Sequence, residues 1–275
     1  MPAIKYTSQQ SRQQACYFPK GNKMNLKTNI FHEVSKENRV PFYLQVKEQL
    51  LSAIISDFEL GAKIDNEMDM CSIFGVSRPT VRQAIKELEN EGFLTRVKGF
   101  GTFVKSKKIK SSLMQDVAFF TDELAAKNIS FVNRILVKER ILPKKEVAVI
   151  LGLGKDDKIN YVERLRFVLN QPLYFTIIQI PEKICPGFID NDLVNSSTTA
   201  LIEEKYGIYI SGIKRYLNPV NKNLFPKAAE VLLIDRQASF FYMRSILLDK
   251  NENPIGFYED FFSSEKSEFA FYTKR

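Results

Sequence analysis

Two groups of cationic and hydroxyl residues carry most of the chemistry this chain offers. In the first, Ser77, Arg78, Thr80 and Arg82 crowd the start of a run in which Val81, Ala84, Ile85 and Leu88 recur at helical spacing. The apolar residues form a buried stripe, and Arg78, Thr80 and Arg82 fall on or near the opposite face. Ser77 is suited to cap this helix, and Pro79 lies in its first turn, where a missing N–H costs nothing. A helix N-terminus carries partial positive charge, so this end attracts phosphate oxygens and can reach base edges. In the second group, Arg164 and Arg166 lie two apart in the strand-like run 158–169. Residues at that spacing stand side by side on one face, roughly 7 Å apart. Such a pair can clamp a carboxylate or phosphate, or it can be two solvated arginines on an outer sheet face. Spacing alone does not decide between them.

Elements on either side complete the first group. Pro41-Phe42-Tyr43-Leu44-Gln45 opens an amphipathic run whose apolar face is Leu44, Val46, Leu50, Leu51, Ile54 and Ile55. Gly61 ends that region. Asn66, with Asp69 three residues on, is a capping-box-like start for a short helix from Glu67 to Phe74, and Gly75 supplies a left-handed stop. Cys71 falls on the apolar side of that helix. After Leu88, Gly92 punctuates the chain. Residues 93–96 and 101–104 then read as two strands around Val97-Lys98-Gly99-Phe100, a short basic hairpin.

These residues together resemble the GntR family of winged-helix transcription regulators. Pro41, Tyr43 and Gln45 match its opening Pro-x-Tyr-x-Gln; Val76 to Arg82 match its Val-Ser-Arg-x-Thr-Val-Arg; Gly99 to Val104 match its Gly-x-Gly-Thr-Phe-Val. Where the family usually has Leu-Pro-Ser-Glu, this chain has Ile64-Asp65-Asn66-Glu67. Asn caps as well as Ser, while Asp65 adds a negative charge near the DNA face. The resemblance implies DNA contacts from Tyr43, Ser77, Arg78, Thr80, Arg82, Arg96, Lys98, Gly99, Gly101 and Thr102.

Bulk properties fit that expectation. A chain of 275 residues has room for about two domains. Net charge is +8, which suits a polyanion partner. Residues 1–38 hold six basic and two acidic residues, and residues 39–110 hold twelve and nine, so the excess lies at the N-terminal end. Cys16, Cys71 and Cys185 are far apart and in no metal-binding spacing, and His32 is the only histidine. A zinc site, a Cys-His pair or a Ser-His-Asp triad therefore has almost nothing to be built from, and no metal or cofactor is expected. No apolar run approaches the length of a membrane span, and the expected location is cytoplasmic.

The expected organisation is a disordered basic tail over 1–38, a winged helix-turn-helix domain over 39–104, a linker over 105–115 and a second domain over 116–275. The tail is alternatively a basic arm on DNA, and Met24 is an alternative start. The linker lysines either follow phosphate or keep the linker solvated. In the second domain, helices are predicted over 118–127, 146–151, 198–206 and 224–234. Strands are predicted over 131–142, 158–169, 173–180, 208–217, 239–248 and 254–262. Antiparallel hairpins with interspersed helices give an α+β class.

This order resembles the UTRA effector-binding domain of the HutC subfamily, whose fold is related to chorismate lyase. The resemblance rests on Leu151-Gly152-Leu153, Glu163-Arg164-Leu165-Arg166 with Pro172-Leu173, Pro186-Gly187, Tyr206-Gly207, the Ala228/Ala229/Leu232 helix, Arg244 and Pro254-Ile255. It implies an effector pocket at Arg164, Arg166, Thr176, Ser197 and Phe262. Sugar-phosphate-responsive relatives usually carry acidic residues where this chain has Thr176 and Gly256, which points to a small, more apolar anionic effector. The expected protein is a regulator, in all expectation a repressor and homodimer, on an inverted-repeat operator in double-stranded DNA. Two alternatives stand beside it: a second domain that keeps lyase-like activity, and a DNA-binding module governed only by a protein partner.

Overall fold

A computed structural model describes residues 31–37, 39–111, 129, 131–169, 171–233 and 239–269. The chain divides into two compact units, Met1–Lys108 and Ile109–Arg275. The helix predicted over 118–127 and the tail before residue 31 lie outside the described residues.

In the first unit, α1 (Phe42–Ser56), α2 (Glu67–Phe74) and α3 (Arg78–Asn90) precede a hairpin of β1 (Leu94–Val97) and β2 (Gly101–Val104). The ends of α2 fall where local chemistry places them. The Asn66 side chain accepts from the backbone N–H groups of Met68 and Asp69, and Gly75 ends the helix at φ 66°. The buried residues of α3 are Val81, Ala84, Ile85 and Leu88, the predicted stripe. They pack in a core with Val46, Leu50, Ile54, Met70 and Phe74. Burying each such side chain contributes about 1.5–3 kcal/mol. Cys71 is half-buried rather than a core residue.

Two features depart from the sequence reading. Residues 31–37, assigned to a disordered tail, are fastened to this unit. The Gln45 amide accepts from the Ser35 N–H and donates to the Ser35 and Val40 carbonyls, and Gln49 brackets His32 in the same way. The Val34 N–H donates to the Phe74 carbonyl, and Phe31 meets the Phe74 ring edge-on. Residues 61–64 also run along β2, with Gly61 and Ile64 donating to the Val104 and Thr102 carbonyls.

The second unit is α+β. Its sheet contains β4 (Phe131–Ile141), β5 (Ile159–Val168), β6 (Gln171–Pro181), β7 (Gly212–Asn221), β8 (Ser239–Leu248) and β9 (Pro254–Ser263). The order is β4-β5-β6-β9-β8-β7 and every neighbouring pair is antiparallel. One face carries α4 (Lys145–Ile150) and α6 (Pro226–Val231), packed on Ile159, Phe257, Leu165, Phe175, Phe240 and Phe261. The other is covered by the excursion after β6, which includes a 3₁₀ turn (Phe188–Asp190) and α5 (Thr198–Tyr206). A third piece was not predicted: β3 (Ile109–Ser111), within the expected linker, pairs in parallel with β10 (Ser267–Phe269).

Helix α5 and the last hairpin stand where predicted, to within one residue. Strand β7 begins four residues later than expected, and the predicted 224–234 helix is a 3₁₀ turn (Lys222–Leu224) followed by the shorter α6. Glu163, the one charge on the apolar face of β5, is satisfied there. Tyr161 Oη donates to it at 2.8 Å and Lys227 Nζ lies 2.5 Å away.

Candidate nucleic-acid interface and effector site

The Glu67 carboxylate gathers three arginines of the first unit. Its Oε2 accepts from Arg78 Nε and Arg82 Nε, each at 2.9 Å, and its Oε1 from Arg96 Nη2 at 3.0 Å. Arg78 and Arg82 come from successive turns of α3 and Arg96 from β1, so one carboxylate joins the helix to the wing. The arginine side chains remain 58 %, 57 % and 50 % exposed, against 15 % for Glu67. Partial burial pushes the Glu67 carboxyl up, but the hydrogen bonds from Arg78, Arg82 and Arg96 outweigh it and hold it below the usual value. A concave surface of about 630 Å³ runs past Glu67, Arg78 and Arg96, lined also by Lys63, Lys98, Gly99 and Thr102.

Ser77 occupies the N-cap position of α3, but its hydroxyl makes no bond to the helix backbone and pairs instead with Thr80 Oγ1 at 2.8 Å. Gly99 and Gly101 adopt φ of 81° and 124°, and a Cβ at Gly101 would stand 2.6 Å from Lys63 Cε. Lys98 is exposed at the wing tip, whereas Thr102 is buried and Tyr43 half-buried in the first turn of α1. The far end of α3 is fixed from below: Lys47, 2 % exposed, places its Nζ 2.6 Å from Glu91 and 3.5 Å from Glu87.

In the second unit the cross-strand register brings the other expected residues together. Arg164 is paired with Thr176, and Thr176 with Asp260; Arg166 is paired with Tyr174, and Tyr174 with Phe262. Directly paired residues share a face, so these form two adjacent rows. The arginines are 4 % and 1 % exposed, which overturns the alternative of two solvated side chains. Arg164 Nη1 donates to the Leu193 and Ser196 carbonyls at 3.5 and 3.4 Å. Arg166 Nε donates to Asn133 Oδ1 at 2.8 Å, and its guanidinium lies over the Phe131 and Tyr174 rings. Ser197 caps α5 by accepting from the Ala200 N–H, and Tyr258 Oη donates to Thr198 at 3.2 Å, tying the helix start to this face. Phe262 is buried, stacked on Tyr174 and met edge-on by Phe269.

Asp260 was not singled out from sequence. It is 8 % exposed, with Thr176 directly opposite and Arg164 one strand further on. Burial raises its carboxyl to about 6, with the Thr176 hydroxyl and the charges of Arg215, Arg164 and Arg166 pulling the other way. A carboxylate is therefore present in this face, opposite Thr176 and four residues beyond Gly256, the two positions where acids were sought.

Comparison with known proteins matches both parts of the chain. Residues 42–104 match the family described as bacterial regulatory proteins, gntR family, and residues 126–268 match the UTRA domain. The chain is 32 % identical over 211 residues to the HTH-type transcriptional repressor NagR of Bacillus subtilis, covering 74 % of this chain and 86 % of that one. This chain belongs to the GntR family.

Other relatives include a probable fructoselysine utilization operon transcriptional repressor of Shigella flexneri, 27 % identical over 78 % of this chain and 86 % of that one. The arabinose metabolism transcriptional repressor of Geobacillus stearothermophilus is 34 % identical over 55 % of this chain and 42 % of its own length. The fold is that of PhnF from Mycobacterium smegmatis, with a TM-score of 0.60, 19 % identity and coverage of 83 % of this chain and 99 % of that one. GntR proteins are regulators, which sets aside the lyase alternative. Among the described residues no helix is long and apolar enough to cross a membrane.

Two functional candidates escaped sequence reasoning. Glu67 was visible only as a helix-start residue, because its partners lie eleven to twenty-nine positions away. Asp260 sits in an aromatic strand, and only the β6–β9 register places it beside Thr176.

Proposed function

We propose that this GntR protein is a repressor that binds double-stranded DNA as a homodimer in the cytoplasm, under the control of a small anionic effector held by its UTRA domain. The concentration of Arg78, Arg82 and Arg96 at the N-terminal end of α3 and on the wing carries the DNA half of this reading. Arg78 and Arg82 address bases and phosphates in the major groove, helped by Ser77 and Thr80, while Tyr43 adds a contact from α1. Arg96, Lys98, Thr102 and the backbone at Gly99 and Gly101 hold the flanking groove. Two-fold symmetry of the protein calls for inverted half-sites.

In the UTRA domain, Arg164 and Arg166 take the anionic group and Ser197 presents the start of α5. Phe262 closes the aromatic side. Asp260 with Thr176 supplies an acceptor for hydroxyl or ammonium groups, which moves the expected effector away from a purely apolar acid. The names of the relatives, which concern fructoselysine and arabinose, support a carbohydrate-derived anion. A ligand controls DNA affinity only by favouring one arrangement of the two DNA-binding units over another.

Selection from a random duplex pool by the purified full-length protein tests this. An inverted repeat should be enriched, and enrichment should vanish in an Arg78→Ala/Arg82→Ala variant. Failure to enrich any sequence, with or without sugar phosphates and sugar acids, contradicts the proposal.

A further inference from the structure

Glu67 sits among the groups assigned to DNA yet carries the same charge as DNA. A carboxylate in that place weakens attraction to phosphate, so its presence calls for an explanation. Two uses of a carboxylate at the start of α2 are general: it complements the helix dipole, and the Asn66 cap fixes its backbone. Neither requires three arginines on one carboxylate.

The geometry of the ion pairs points further. Arg78 and Arg82 are bonded through Nε, which leaves the two terminal nitrogens of each guanidinium outside that bond. Those terminal groups form the fork that pairs with guanine or with phosphate oxygens. An exposed arginine otherwise samples many rotamers, and ordering it on binding costs free energy. The four groups together retain two net positive charges, enough to attract phosphate but one fewer than the arginines alone.

We infer that Glu67 is a specificity-determining positioning residue: it holds Arg78, Arg82 and Arg96 in register for the operator while lowering affinity for DNA of any other sequence. This rests on the DNA-binding reading above. Non-specific affinity follows counterion release and grows with positive charge. Operator affinity depends in addition on how well the forks are placed. Removing the carboxylate should therefore lower operator affinity relative to non-specific affinity without lowering the latter, which loss of a purely structural residue would not do.

The test uses full-length protein, the duplex enriched from the random pool and a scrambled duplex of the same composition, titrated by fluorescence anisotropy at several salt concentrations. For Glu67→Gln, the ratio of operator to scrambled affinity should fall by about tenfold or more, while scrambled affinity holds or rises. Glu67→Asp keeps the charge but is one methylene short. It should restore wild-type affinity for scrambled DNA and leave the ratio low. If Glu67→Gln lacks a cooperative melt, Glu67→Asp carries the comparison alone. A ratio unchanged from wild type, including equal weakening on both duplexes, overturns the inference. A wild-type protein that enriches no duplex overturns the DNA-binding reading itself, so the two failures are distinct.

Discussion

Asp260 lies directly opposite Thr176 in the β6–β9 pairing, and Thr176 lies directly opposite Arg164 in the β5–β6 pairing. An acid and a guanidinium thus face the same covered side of the sheet with one hydroxyl residue between them. In the proposed reading that arrangement gives the effector domain both an anion-binding side and an acceptor side, and the buried acid ties the stability of the domain to pH.

The sign follows from burial. Asp260 titrates near 6 in the folded chain, above the ordinary 3.8. The folded state therefore holds the proton more tightly than the unfolded state between those values, and stability falls as pH rises through that window. The effect amounts to roughly 3 kcal/mol at most. Asp260→Asn should be more stable than wild type at pH 8 and no more stable at pH 4, as measured by urea denaturation of both proteins. A stability difference that does not change with pH would show that folding leaves the Asp260 carboxyl at its ordinary value.

Lys47 is the support beneath α3. It is almost wholly buried and ion-paired with Glu91 and Glu87 at the end of α3. Removing one partner of a buried pair costs about 3–5 kcal/mol, and the partial exposure of both glutamates lowers that here to roughly 2–3. Lys47→Ala should lower unfolding free energy by that amount in chemical denaturation. A change below about 0.5 kcal/mol would place the pair among ordinary surface ion pairs.

Arg78 and Lys98 should separate two kinds of DNA contact. Arg78→Ala should cost about 1–3 kcal/mol on the operator and relax the preferred base at one position. Lys98→Ala at the wing tip should weaken operator and scrambled DNA alike, with the salt slope reduced by about one. Affinity titrations across a salt series distinguish them, and equal behaviour of the two variants would contradict the assignment.

Asn66 offers a test of the altered segment before α2. Its side chain accepts two backbone hydrogen bonds, so Asn66→Ala should destabilise the first unit by about 1 kcal/mol, whereas Asn66→Ser should be nearly neutral. A neutral Asn66→Ala would mean that water caps α2 as well as the amide does.

Local chemistry made the first unit legible. Asn66 and Gly75 mark both ends of α2, and the spacing of Val81, Ala84, Ile85 and Leu88 names the buried face of α3. What escaped was set by partners distant along the chain. Gln45 and Gln49 hold His32, Ser35 and Val40 through side-chain bonds that composition does not reveal. The β3–β10 pairing joins positions more than 150 residues apart. Strand β7 lies at the sheet edge, where alternation is weak and pairing with β8 sets the register. In the effector domain the arginine spacing was readable, but their burial was not. It depends on the covering excursion that brings Leu193 and Ser196 to Arg164.

The most direct test of the account is the operator affinity of the full-length protein with and without a panel of sugar phosphates and sugar acids, repeated on Arg166→Gln. At least one compound should change wild-type operator affinity by about fivefold or more, and Arg166→Gln should bind the operator normally but lose that response. An operator affinity indifferent to every compound, or a response that survives in Arg166→Gln, would contradict control through these residues.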